Sequence, residues 1–258
     1  MAKKKSTATR RAESQAASAR AAAIRKEQER KERRRQTLVV TAVGVVVLAI
    51  IVLVVTRLSS SKDTTGATGA APKGVVAGYA VPSGPSSAPV KVTVYEDFIC
   101  PYCGQFEAAS RTAFQKDIDA GKVQFQYHVL NFLDGNSTTR YSTRSANALA
   151  VVLNSAGPTA AKRFHDLLFE NQPQERTAGL TDSQLVDFAV QAGAKKSAVQ
   201  SGIGDLTFEP WVKKVTDKAS KDGVTGTPTV SIGGKTLKYS TTEELVTKVE
   251  QAIAKGRS

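Results

Sequence analysis

The sequence of 258 residues is poor in the side chains that build disulfide scaffolds and metal sites, because it has only two cysteines and two histidines. Two cysteines exclude a fold held together by several disulfides, and two histidines beside them do not make a convincing structural zinc site. Aromatic residues make up 6% of the chain, but 41% of it is hydrophobic and 23% is charged, which is typical of a globular protein. The length gives room for about one to two domains.

Positive charge is concentrated at the N-terminus. Residues 1–36 contain 13 Lys or Arg and four Glu, and so carry most of the formal net charge of +13. The next segment, residues 37–56, has no charged side chain and is rich in Leu, Ile and Val. It is about 30 Å long as a helix, which matches a bilayer, and it ends in Thr56-Arg57 rather than in a small-residue cleavage site. The sequence therefore predicts an uncleaved transmembrane helix over 37–56.

The basic tail predicts the orientation of that helix, because positively charged flanks stay in the cytoplasm. This rule already accounts for the tail, so we expect no nucleic-acid partner. The remainder of the chain is then extracytoplasmic, and the protein is predicted to be a single-pass protein of the cell membrane. Disulfides persist in such a compartment, which decides how the two cysteines are interpreted.

Beyond the membrane segment, residues 57–76 are rich in Ser, Thr, Gly and Ala and predict a flexible linker, and residues 77–256 predict a packed domain. Residues 90–95 and 123–129 alternate between apolar and polar side chains, as strands do, and residues 101–117 between them predict a helix. A strand, a helix and a strand in this order predict a parallel pair with a right-handed crossover. The domain is therefore expected to be α/β.

The rest of the domain predicts mostly helices. Apolar residues recur at helical spacing around 146–153 and 164–168, and Thr181 with Gln184 makes a capping box before a third amphipathic helix. The other predicted elements are a short edge strand near 78–81, a helix opened by Pro210 and ended by Gly223, a hairpin of 229–232 and 236–239 around Gly233-Gly234, and a last helix capped by Thr241 and Glu244.

Cys100-Pro101-Tyr102-Cys103 follows the first long strand and opens a helix. A thiol at a helix N-terminus faces unpaired backbone N–H groups and the positive end of the helix dipole, which stabilise its thiolate. Pro101 suits the first helical turn, where its missing N–H costs nothing. The spacing places the second thiol one turn below the first, so that a disulfide can close. We expect Cys100 to be the exposed attacking sulfur and Cys103 the buried resolving one.

Other interpretations of the two cysteines are weaker. Half a zinc site would need two more ligands, and the two histidines lie in a predicted strand and beside the apolar stripe of a predicted helix. A purely structural disulfide across so short a loop would stabilise the fold little. We therefore expect no metal and no other cofactor.

The motif and its surroundings resemble the DsbA-like branch of the thioredoxin superfamily. The resemblance rests on Tyr95–Cys103, on Ala88-Pro89-Val90 before it and on Gly226–Thr229 downstream, and it extends over residues 77–256. It implies a thioredoxin-like fold with a helical insertion at about 136–205, between the βαβ unit and the strand after a cis-proline. It also implies that Pro228 is that cis-proline and that Thr227 offers its backbone to an extended substrate.

Two departures from the family pattern concern the chemistry. The residue between Pro101 and Cys103 is Tyr102, which lacks the cationic side chain that histidine supplies in well-studied oxidases. The position six residues before Cys100, where many superfamily members have a buried carboxylate, is Val94. Asp97 is therefore the candidate for proton transfer during attack by Cys103.

The resemblance implies a membrane-tethered thiol-disulfide oxidoreductase that acts on the cysteines of exported proteins. Oxidation of substrates is the favoured direction, with reduction or isomerisation as the alternative. A membrane partner of the VKOR-like or DsbB-like kind would then renew the active site. A different class of function also fits the sequence, namely a non-catalytic thioredoxin-like module that binds a partner or delivers a metal.

Overall fold

The computed structural model describes residues 69–256, and the predicted membrane helix 37–56 lies outside them. No helix within 69–256 has the length and apolar character needed to cross a bilayer. The elements are, in chain order, β1 (Val81–Ser83), β2 (Val90–Glu96), α1 (Pro101–Asp119), β3 (Val123–Val129), α2 (Tyr141–Glu170), α3 (Asp182–Gln191), α4 (Lys196–Gly204), α5 (Glu209–Lys221), β4 (Thr229–Ile232), β5 (Lys235–Thr236) and α6 (Thr242–Ala254).

The five strands form one sheet in the order β1-β3-β2-β4-β5, which places β2 at its centre. Strands β2 and β3 are parallel from Val90 opposite Val123 to Glu96 opposite Val129, and α1 connects them, so the predicted βαβ unit is confirmed. Along β2, buried residues alternate with half-buried ones, because successive side chains of a strand point to opposite faces. Helix α1 begins directly beyond the end of this central strand.

Ordered structure begins upstream of residue 77. The Lys73 amide donates to Asn154 Oδ1 at 3.0 Å, and Val75 packs against the hydrophobic core. The edge strand predicted near 78–81 lies slightly later, at Val81–Ser83, where it pairs antiparallel with β3. Just before it, the carbonyl of Gly78 accepts a hydrogen bond of 2.9 Å from the buried indole of Trp211.

The helical insertion consists of α2, α3 and α4. The two helical stretches predicted around 146–153 and 164–168 are joined in α2, which bends at Gly157 and Pro158. Gly157 has φ 81, a conformation that suits glycine, and Pro158 then begins the second stretch of the helix. The capping box of Thr181 and Gln184 at the start of α3 is confirmed. Helix α4 was not predicted from the sequence.

After α5, the chain returns to the sheet through β4, which pairs antiparallel with β2. The second strand of the predicted hairpin is shorter than expected, because β5 comprises only Lys235–Thr236. Beyond it, the chain leaves the sheet, and the hydroxyl of Tyr239 donates to the carbonyl of Pro228 at 2.6 Å. Helix α6 then begins at the predicted cap, where Thr241 Oγ1 accepts from the Glu244 amide.

Candidate active site

The two cysteines lie at the N-terminus of α1. Cys100 is the N-cap residue, with extended backbone angles, and Pro101 is the first residue of the helix, as the sequence predicts. The Cys100 amide donates to the carbonyl of Asp97 at 3.0 Å, which closes a turn between β2 and α1. The Cys100 carbonyl accepts the first helical hydrogen bond, from Gly104, at 3.1 Å. The sulfur of Cys100 therefore stands where the unpaired N–H groups of the helix point.

The prediction that Cys100 is exposed is wrong. Only 3% of its surface is accessible, and Cys103 is fully buried, whereas 65% of Tyr102 between them is exposed. The physical reason is that the loop before β4 covers the first sulfur, so that Cys100 Sγ lies 3.3 Å from the carbonyl oxygen of Thr227, to which its protonated form donates. The two sulfurs still differ as predicted, because Cys103 is the more deeply buried.

The pKa values of the two thiols are shifted in opposite directions. A hydrogen bond from the Cys103 thiol does most to lower the pKa of Cys100 to about 6, and the amides of Tyr102 and Cys103 act in the same direction against burial. Burial raises the pKa of Cys103 well above its ordinary value, and its hydrogen bond to Cys100 adds to the rise. At pH 7, Cys100 is then mainly thiolate, while Cys103 keeps its proton. One sulfur is a ready nucleophile and leaving group, and the other is a proton-bearing partner.

A groove borders this pair on the exposed side. Its volume is about 370 Å³, and its lining includes Tyr102, the loop of Thr227 and Pro228, and Tyr239. The Thr227-Pro228 peptide bond is cis, as the family resemblance implies. Hydroxyl groups from the start of α6 complete the groove. The groove therefore adjoins the active-site turn through Tyr102 and Thr227 and has a largely polar lining.

The carboxylate of Asp97 lies on the opposite side of the turn and is fully buried. It accepts hydrogen bonds from the amide of Ile99 at 3.1 Å, the amide of Leu133 at 3.0 Å and the hydroxyl of Ser142 at 2.7 Å. Burial raises the pKa of Asp97 to about 7, although these three donors oppose the rise. Asp97 thus connects the turn to the loop after β3 and to α2, and its role in proton transfer stays a prediction.

A buried cluster of Glu96, Glu107 and His165 lies behind Cys103, and the sequence did not reveal it. Glu107 is four residues after Cys103, and therefore on the same face of α1. His165 Nε2 is 2.6 Å from Glu96 Oε1, and the rings of Phe98 and Tyr127 pack on the imidazole. Three polar atoms of the cluster have no hydrogen-bond partner, namely Glu96 Oε2, Glu107 Oε1 and His165 Nδ1.

The cluster contains a positive charge between carboxylates. Burial alone would lower the pKa of His165, but the carboxylates of Glu96 and Asp166 outweigh it and raise the value to about 10. Burial raises the pKa of Glu107 to about 7, and the neighbouring Glu96 adds to the rise, against the opposing charge of His165. Glu96 also raises the pKa of Cys103. The cluster therefore acts electrostatically on the resolving cysteine.

The same three residues offer the groups that hold a metal ion, because their ligand atoms lie within 4.8 Å of one another. Within residues 69–256, no other group of three such residues meets this condition, and neither cysteine belongs to the group. The direct contact between His165 Nε2 and Glu96 Oε1 already satisfies both atoms. The structure therefore gives the cysteines no set of metal ligands among the residues that it describes.

The domain that carries the two cysteines resembles a known protein family. A family model described as Thioredoxin matches residues 77–251. The chain is 30% identical over 163 residues to the serine/threonine-protein kinase PknE of Mycobacterium tuberculosis, a match that covers 60% of this chain and 29% of the kinase. The chain thus spans less than a third of the length of that relative.

Two further relatives are named for thiol chemistry. The chain is 28% identical over 177 residues to disulfide bond formation protein D of Bacillus subtilis, which covers 67% of this chain and 77% of that protein. Among solved structures, reduced DsbA from Mycobacterium tuberculosis matches with a TM-score of 0.57 and 29% identity, over 69% of this chain and 96% of that one.

Proposed function

Because this chain belongs to the thioredoxin family and to its DsbA-like branch, we propose that it is a membrane-tethered thiol-disulfide oxidoreductase that oxidises exported proteins. The single observation that carries this proposal is the asymmetry of the two sulfurs. Cys100 has a stabilised thiolate at the N-terminus of α1, and the buried Cys103 beside it retains its proton. Such a pair exchanges disulfides through its first sulfur.

In the oxidising direction, the enzyme begins with a disulfide between Cys100 and Cys103. A substrate thiolate attacks Cys100 Sγ, the bond between the two cysteines breaks, and Cys103 leaves and takes up a proton. A second substrate thiolate then attacks the substrate sulfur of the mixed disulfide, and Cys100 leaves as a thiolate. The substrate loses two electrons and gains a disulfide, and the enzyme becomes a dithiol.

The low pKa of Cys100 favours this direction. Its thiolate exists only in the reduced enzyme, so every interaction that stabilises the thiolate makes the enzyme easier to reduce and hence a stronger oxidant. In the reducing direction the same pair would work in reverse, and Cys103 would resolve the mixed disulfide on Cys100. The extracytoplasmic location expected from residues 1–56 also supports oxidation, because disulfides persist there.

Substrates would bind in the groove beside Cys100. The backbone of Thr227 lies next to the Cys100 sulfur, and the groove between Tyr102 and the start of α6 continues away from it. An extended peptide placed there can pair with backbone groups while its cysteine reaches Cys100. After each reaction, a membrane protein of the VKOR-like or DsbB-like kind would reoxidise the pair.

The redox equilibrium of the purified full-length protein in glutathione buffers tests the direction. A reduction potential well above about −200 mV is expected, because it identifies a disulfide donor. A potential near or below about −270 mV would identify a reductant and overturn the oxidising role.

Trapping tests the exchange itself. In cells producing Cys103→Ser, mixed disulfides with exported proteins should accumulate on Cys100, because the resolving sulfur is missing. Cys100→Ser is the matched control and should trap none. A Cys103→Ser protein without adducts would instead indicate a non-catalytic binding module.

A further inference from the structure

The side chain of Gln172 contacts the active-site turn from the end of the helical insertion. Its Nε2 donates to the carbonyl of Phe98 at 3.1 Å and to the carbonyl of Cys100 at 2.9 Å. Gln172 follows the C-cap of α2, and it is distant in sequence from both partners. A single amide group therefore satisfies the two carbonyls that flank Ile99.

Gly104 provides the space for this contact. A Cβ atom at position 104 would lie 2.2 Å from Gln172 Oε1, which is far closer than side chains approach one another. Gly104 lies in the first turns of α1 and has no positive φ that would itself require glycine. Glycine is among the least favourable residues for a helix interior. Any larger residue directly after Cys103 would therefore have to displace the Gln172 amide.

The hydrogen bond from Gln172 Nε2 constrains the direction of the Cys100 carbonyl. That carbonyl also accepts the first helical bond of α1, from Gly104. Its direction therefore determines how the N-cap residue joins the helix, and with it where the sulfur stands relative to the amides of Tyr102 and Cys103. Asp97 holds the same turn from the other side by accepting from the amide of Ile99. Gln172 thus binds two carbonyls of the turn, and Asp97 binds one of its amides.

We propose that Gln172 is a positioning residue for the thiol chemistry, which holds Cys100 in the N-cap conformation that its thiolate needs and makes the helical insertion part of the active site. This inference rests on the proposed function. It assigns a role to a residue of the insertion that touches neither sulfur and that the motif itself does not contain.

Gln172→Ala in the full-length protein is the first test, with Gln174→Ala as the matched control, because Gln174 is exposed and only its carbonyl is bonded. The readout is the pH titration of Cys100 thiolate absorbance. Loss of the hydrogen bond to the Cys100 carbonyl, if of ordinary strength, should raise the midpoint by about half to one pH unit, and so reduce the thiolate-limited reaction rate near pH 6 about two- to fivefold. The control should titrate like the parent protein.

Gly104→Ala is the second test and does not depend on the stability of the first variant. The added methyl group must displace the Gln172 amide, so it should raise the Cys100 midpoint in the parent protein and lower its melting temperature. In the Gln172→Ala background the methyl group has room. There Gly104→Ala should leave the midpoint unchanged and raise the melting temperature, because alanine favours helix over glycine.

An unchanged Cys100 midpoint in both Gln172→Ala and Gly104→Ala would overturn the inference, even if both variants melt earlier, since a merely structural role predicts that result. Disulfide exchange by the parent protein is measured in parallel. If the parent exchanges no disulfides, the proposed function fails, whereas normal exchange with unaffected variants leaves that function standing and removes only the role of Gln172.

Discussion

On one side of the Cys100–Cys103 motif lies an open groove lined by hydroxyl groups, and on the other side lies the buried cluster of Glu96, Glu107 and His165. Polar groups in the groove exchange hydrogen bonds with water, so changing one of them costs little stability. The cluster has no such freedom, because its residues are at most 2% exposed and three of its polar atoms have no partner. Substitutions on the groove side should change reactivity, and substitutions on the cluster side should change stability and its pH dependence.

The largest effect is expected for His165→Leu. This substitution removes the positive partner and leaves Glu96 buried without it, which should lower the free energy of unfolding by about 3 to 5 kcal/mol. Urea denaturation at neutral pH measures the difference. His128→Leu is the matched control, since His128 is only half-buried and forms no close ion pair with a carboxylate of residues 69–256, and it should cost less than about 1 kcal/mol. Equal effects of the two substitutions would show that the ion pair contributes nothing of its own.

Glu107→Gln should make the protein more stable at alkaline pH. The folded protein holds the Glu107 proton up to a pKa of about 7, whereas the unfolded chain releases it near 4.5. The folded state therefore binds more protons between these values, and the parent protein loses stability as the pH rises through that window. The variant lacks this loss, so its stability relative to the parent should improve by about 2 to 3 kcal/mol from about pH 4 to about pH 8.

Urea denaturation across this range provides the measurement for Glu107→Gln. Glu250→Gln, the same change at an exposed position of α6, serves as the control for the substitution itself. A constant difference between Glu107→Gln and the parent protein would mean that Glu107 titrates in the folded state as it does in the unfolded chain.

Asp97→Asn distinguishes the role of this carboxylate in stabilising the fold from its predicted role in proton transfer. Because an asparagine amide cannot accept from all three donors, stability should fall by about 1 to 2 kcal/mol. If Asp97 also takes the Cys103 proton, the rate of disulfide exchange should lose its dependence on pH near 7, where the carboxyl titrates. Exchange rates that match the parent protein at every pH would refute the proton-transfer role.

The smallest effect on stability, within about 0.5 kcal/mol, is expected for Tyr102→His, because Tyr102 is exposed on the groove side. An imidazolium at this position should nevertheless lower the pKa of Cys100 below its present value of about 6 and raise the reduction potential. Thiolate titration and glutathione equilibration measure both quantities. A change in melting temperature without a change in the pKa of Cys100 would contradict the expectation that substitutions on the groove side change reactivity rather than stability.

Local patterns in the sequence predict much of the fold. The alternation in β2 and β3, Pro101 at the start of α1 and the box of Thr181 and Gln184 each reflect interactions between residues close in sequence. The break between the two predicted stretches of α2 is local as well, since it falls at Gly157-Pro158. The shortness of β5 and the presence of α4 were missed.

The candidate site likewise has parts that could be predicted from the sequence and parts that could not. A short motif reveals that the two cysteines lie at a helix N-terminus. Their unequal acidity depends more on the hydrogen bond between the two sulfurs and on the burial of Cys103. The cover over Cys100 depends on Thr227, which is 127 residues away, and the partner of Glu96 is 69 residues away. Neither distance leaves a periodic signal in the sequence.

The hydrogen bond from Trp211 to the carbonyl of Gly78 gives the protein a natural optical reporter. Trp211 is the only tryptophan in the sequence, so its emission arises from a single site. Its buried indole should emit at short wavelength while the segment before β1 is docked, and at longer wavelength once that segment detaches and water reaches the ring. The fluorescence of the unlabelled protein therefore reports when the segment before β1 detaches from Trp211.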